Sequence, residues 1–203
     1  MKTKFLIILS LFSFILFSCW KREYTYYKIT DTDINMIPYR LEQTVNFIDS
    51  LELPFVMTVK EDYITWVLYS DIVKGECRSV ILQSKKNSLP IELLVGASEN
   101  EFEKKYISIY INPFGFWIRY DLDGQFVTDT EGENKQYFHD SIEINNKIYY
   151  NVVEYIKVED FGYNDEILSK DRLPMRLIYN KTEGILQLED KDKVLFSIVN
   201  KDD

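Results

Sequence analysis

Apolar and polar residues alternate with a period of two along much of this chain. In 105–112 (KYISIYIN), Ile107, Ile109 and Ile111 fall on one side, and Tyr106, Ser108 and Tyr110 on the other. That alternation predicts a half-buried strand. Residues 116–120 (FWIRY) continue it after a Pro113-Phe114-Gly115 turn. Residues 63–69, 78–83 and 90–96 are dense in β-branched and aromatic side chains, which suit a pleated surface. Turn residues punctuate the runs. Asp121-Leu122-Asp123-Gly124 separates 116–120 from 125–127, with Gly124 at a left-handed position. Asn145-Asn146 separates 142–144 from 147–158, and tandem Asn tolerates positive φ. Asn180 to Gly184 separates 175–179 from 185–188, and Asp190-Lys191-Asp192 precedes a last strand at 193–199. The C-terminal half therefore reads as an antiparallel meander.

Residues 40–53 fit two patterns. Leu41, Val45 and Ile48 lie at helical spacing, whereas Val45 and Phe47 alternate as in a strand. Pro38 and Pro54 bracket the segment and hairpins follow it, which favours a strand. A short helix suits 163–170. The expected fold class is mainly β: an antiparallel meander forming a sandwich, a barrel or a strongly curved sheet, with few short helices.

The N-terminus follows a different pattern. Lys2 and Lys4 precede thirteen apolar-rich residues, Phe5 to Phe17. As a helix this run spans roughly 20 Å, too short for a ~30 Å hydrocarbon core, so a secretory signal is favoured over a transmembrane span. It ends in Leu16-Phe17-Ser18-Cys19, which resembles the lipobox of bacterial lipoproteins, although Phe17 stands where a smaller residue is usual. The resemblance implies diacylglycerol on the Cys19 thiol and cleavage before it. Residues 1–18 would be a cleaved signal peptide, 19–27 a lipidated cysteine and tether, and 28–203 one globular domain. Each buried methylene contributes ~0.8 kcal/mol, so two or three acyl chains anchor stably where one does not. Trp20, Lys21 and Arg22 follow, residue types that suit a headgroup interface.

Composition narrows the function classes. The 203 residues carry 24 basic and 33 acidic side chains, net −9. Losing Lys2 and Lys4 takes the basic count from 24 to 22 and the balance to −11. Nucleic acid is a poor partner for such a surface. With Cys19 acylated, Cys77 is the remaining thiol, so no intrachain disulfide forms, and Cys77 reads as a small buried hydrophobe. One histidine, His139, rules out a His-rich metal cage within one chain and reads as a partly exposed residue at a strand start.

No Gly-x-Ser-x-Gly and no Gly-rich phosphate loop occurs. Asp121-Leu122-Asp123-Gly124 echoes the start of a calcium loop but lacks the later ligands, so it reads as a solvated turn. Asp129 to Glu133 reads as a polar loop. The fifteen tyrosines, with Trp66 and Trp117, reflect strand propensity first, and a sugar-stacking or lipid-lining surface second.

Two further stretches, Ile37 to Phe47 with Phe55 to Val59, and Leu177 to Glu189, resemble strands of small uncharacterised lipoproteins of the Bacteroidota type. The resemblance implies address and fold, and brings no activity with it. It also implies O-glycosylation motifs at Asp49-Ser50-Leu51 and Asp140-Ser141-Ile142. The lack of acids directly after Cys19 implies a periplasm-facing orientation.

These readings converge on a lipoprotein anchored in the outer membrane through acylated Cys19. It is expected to be a non-enzymatic binding module, without cofactor or metal, for an envelope protein, a glycan or a lipid. The alternative is a carrier of lipid or another hydrophobe with an apolar cavity. A carboxylate-based enzyme acting on glycans is the weakest of the three.

Overall fold

The structure is a computed structural model. It describes residues 24–70, 73–84, 90–97, 105–111, 114–130, 134–157, 174–190 and 193–199. The expected mainly β architecture is present, as a nearly closed, barrel-like antiparallel sheet. One meander comprises β2 (Thr44–Asp49), β3 (Pro54–Ser70), β4 (Val73–Ser84), β5 (Ile91–Gly96), β6 (Lys105–Ile111) and β7 (Phe114–Tyr120). A second comprises β8 (Asn134–Ile144), β9 (Lys147–Lys157), β10 (Pro174–Asn180), β11 (Gly184–Asp190) and β12 (Val194–Ile198). Antiparallel pairing of β12 with β2, Phe196 opposite Asp49 and Ile198 opposite Phe47, joins them. The strand order is then β7-β6-β5-β4-β3-β2-β12-β11-β10-β9-β8.

The remaining gap lies between β7 and β8. Both strands run the same way, so the chain between them crosses back. It pairs Phe126 with Tyr120 and Asp129 with Gln136, both antiparallel. The Gln136 side chain completes the seam. Its Oε1 accepts from the Arg119 amide at 2.8 Å, and its Nε2 donates to the carbonyls of Arg119 and Val127 at 2.7 Å each. Asp129, expected in a polar loop, is instead buried and paired with Arg119.

The strand periodicity sets the core. Val80, Leu82, Leu93, Val95, Ile107, Ile109, Phe116 and Ile118 are fully buried on one side of the first meander, facing Leu177, Tyr179 and Leu186 from the second. Each such side chain contributes roughly 1.5–3 kcal/mol of burial. The turns take the expected conformations. Gly124 has φ +75°, Asn145 and Asn146 have φ +50° and +62°, and Gly184 has φ +86°.

Residues 40–53 contain the preferred strand, β2, with no helix. Two features differ from expectation. Residues 25–27, assigned to the tether, form β1 (Thr25–Tyr27) and pair parallel with Val73–Gly75 of β4. A one-turn helix, α1 (Asp31–Asn35), precedes β2. The helix expected at 163–170 lies outside the described residues.

Candidate functional site

α1 and the chain after it seal one mouth of the barrel. Thr30 caps the helix: its hydroxyl accepts from the Asp33 amide, while the Asp33 carboxylate accepts from the Thr30 amide. This reciprocal cap satisfies two of the amides that a helix start leaves open. Behind it, Met36, Ile37 and Tyr39 are buried in the barrel.

Polar groups fix this plug. Asp33 is completely buried and accepts from Lys105 Nζ at 2.8 Å and from the Tyr120 hydroxyl at 3.0 Å. Burial alone would raise its carboxyl, but Lys105 and the Thr30 donors outweigh that and hold it below its ordinary range. Arg78, also buried, donates to the carbonyls of Ile34, Ile37 and Tyr39 and forks onto Asp62. The Tyr179 hydroxyl donates to the Met36 carbonyl, and the Tyr39 hydroxyl accepts from the Ile185 amide. Burial raises both phenols well above their usual value, so they stay neutral donors and acceptors. Met36, Ile37 and Tyr39 fill the barrel interior at this mouth.

A depression of about 550 Å³ remains beside the plug, bounded by Thr32, Asn35, Arg40, Asp123, Gly124, Lys181 and Thr182. Its cations are already engaged. Arg40 donates to the carbonyls of Ile37 and Tyr39, and Lys181 to that of Gly124.

The second candidate is a projection at the same mouth. β3 is far longer than β2, which pairs with it only as far as Thr58. Beyond Val59, β3 continues against β4 alone, and among the described residues no strand covers its other edge. The three-stranded extension β3–β4–β1 carries large apolar side chains in water. Ile64, Trp66, Leu68 and Tyr26 share one face; they are 51%, 45%, 55% and 59% exposed. Tyr26 packs edge-on against Trp66 with centroids 5.4 Å apart. Tyr63 and Val67 are exposed on the other face. Lys74 lies over the Tyr24 ring at 4.1 Å.

The residues singled out in the sequence fall as follows. Cys19 lies outside the described residues. Cys77 is buried, and burial together with nearby Glu92 raises its thiol, which makes it a poor nucleophile. His139 is partly exposed, at 36%, as expected, but lies mid-strand on β8 rather than at a strand start; it bonds Glu154 at 2.8 Å. Glu154 also pairs with Arg176, which pairs in turn with Glu189, so these carboxylates converge on a cation. Asp121 Oδ1 accepts from the amides of Asp123 and Gln125, as in a turn. Asp49 Oδ1 likewise accepts from Leu51 and Leu53.

Asp33, Lys105 and Arg78 were not singled out in the sequence. The signal for Asp33 was the Thr30-x-x-Asp33 spacing. Neither Lys105 nor Arg78 carried a local one, since their partners in the plug are 72 and about 40 residues away and Asp62, which orients Arg78, is 16 away. No protein-family profile, curated protein or solved structure matches this chain.

Proposed function

We propose that this chain is a lipoprotein anchored in the outer membrane through acylated Cys19 and facing the periplasm. It works as a non-enzymatic binding module, with the β3–β4–β1 projection as its contact surface. The observation that carries this reading is the exposed group Tyr26, Ile64, Trp66 and Leu68 on a single face. Scattered apolar residues are ordinary on protein surfaces, whereas a contiguous set on a projecting element marks a place of contact. The lipobox supports the address. The polar clusters support the non-enzymatic part: Asp33, Arg78 and the Glu154–Arg176–Glu189 row spend their charges on one another or on backbone groups.

The test is photo-crosslinking in cells, with a photoreactive residue at position 66 or at position 51. Leu51 is exposed on a turn at the opposite end of the barrel. The expected result is a discrete adduct of protein, glycan or lipid at position 66 and none at 51, lost in Cys19→Ala. Equal labelling at both positions, or none at either, overturns the reading.

A further inference from the structure

The contact surface has an occupant that the tether selects. Cys19 and Thr25 are six residues apart, and a fully extended chain of that length spans no more than about 20 Å. Thr25 pairs with Val73 at the tip of the β3–β4 hairpin. An acylated Cys19 therefore holds the hairpin, and no other part of the barrel so directly, against the leaflet that carries the acyl chains. We propose that the β3–β4–β1 extension is a second membrane contact, in which Tyr26, Ile64, Trp66 and Leu68 lie in the headgroup region of a zwitterionic phospholipid leaflet. This rests on the anchoring reading above and adds a contact that the acyl chains do not supply.

Three observations converge. The side chains at the tip are of the interfacial type: a Trp, a Tyr and branched aliphatics, with Lys74 on the same face and Glu76, opposite Trp66, accepting from the Ile29 amide. The open edge of β3 leaves backbone amides and carbonyls beyond Val59 without a strand partner among the described residues. Such groups are tolerated among hydrated headgroups and not in hydrocarbon, so the contact is shallow. The mature balance of −11 opposes anionic lipid, so the contact is apolar rather than electrostatic.

The test uses the full lipoprotein purified from membranes and reconstituted into vesicles of dibrominated phosphatidylcholine, whose bromines quench nearby tryptophan. Trp20→Phe with Trp117→Phe leaves Trp66 as the sole tryptophan. Trp20→Phe with Trp66→Phe leaves Trp117, exposed on the outward face of β7, as the control. The mass of the N-terminal peptide is measured on the same preparation.

Acylated protein with Trp66 quenched at least twofold more than Trp117 is the expected result. Ile64→Glu with Leu68→Glu in the Trp66-only chain should abolish that difference while the acylated fraction stays membrane-bound. Acylated protein with equal quenching of the two tryptophans overturns the contact and leaves the anchor standing. Trp66 emission that shifts to the blue with protein concentration, without quenching, places a second copy on the surface and also overturns it. A Cys19 peptide without acyl mass overturns the anchoring reading and the contact with it.

Discussion

At Gly184, a side chain has nowhere to go. The residue has φ +86°, and a Cβ there would lie 2.1 Å from the Tyr39 hydroxyl. That hydroxyl accepts the Ile185 amide, so moving it breaks a buried hydrogen bond. Gly184→Ala should therefore cost more than about 2 kcal/mol in urea unfolding. Asp33 gives a second prediction. Removing its charge strands Lys105 in the interior, so Asp33→Asn should cost about 3–5 kcal/mol. Asp33→Asn combined with Lys105→Met should cost less than the two single changes added together. The pH dependence follows from direction alone. The folded carboxyl titrates below its ordinary value of 3.8. Its stabilisation is complete above about pH 4 and is lost as pH falls through the folded value. Wild-type protein should lose urea stability over that range more steeply than Asp33→Asn does.

At the scale of elements, the plug is the part most dependent on side chains. Arg78 ties it down at three carbonyls and is itself oriented by Asp62. In Arg78→Met, amide hydrogen exchange across 30–43 should accelerate at least tenfold while β5 and β6 stay protected. A uniform acceleration would mean that the plug and barrel unfold together. The strands and turns were legible because each rests on local chemistry: the Ile107, Ile109, Ile111 alternation, the tandem Asn at 145–146, and Gly124. The plug was not, because a five-residue helix has too few positions to show a period and its partners are remote in sequence. The strand at 63–69 was legible, but its exposure was not: Tyr63, Ile64, Trp66, Val67 and Leu68 are apolar on both parities, which by itself does not mark a solvated face. Both faces are in fact in water, because β3 outruns β2, and strand-length mismatch leaves no trace in composition. Cys77 read correctly as a buried thiol, whereas Asp129 did not read as buried because its partner Arg119 lies across a seam.

For the whole molecule, the seam and the β12–β2 pairing make the sheet continuous. Unfolding should be one transition, with tryptophan fluorescence and far-UV circular dichroism coinciding in urea. Gln136→Leu removes three hydrogen bonds from buried or half-buried backbone groups. It should lower the midpoint by the equivalent of about 2–3 kcal/mol without splitting the transition. A two-step profile would mean that the meanders fold as separate units.

The β12–β2 pairing also sets a timetable. Phe47 waits for Ile198, roughly 150 residues later in the chain. A polypeptide made from its N-terminus can form the first meander early, yet its β2 edge has no neighbour until the last strand arrives. Throughout that interval the β2 edge is open to any passing strand. Protease resistance should then appear abruptly, when the final strand is complete, rather than accumulate hairpin by hairpin.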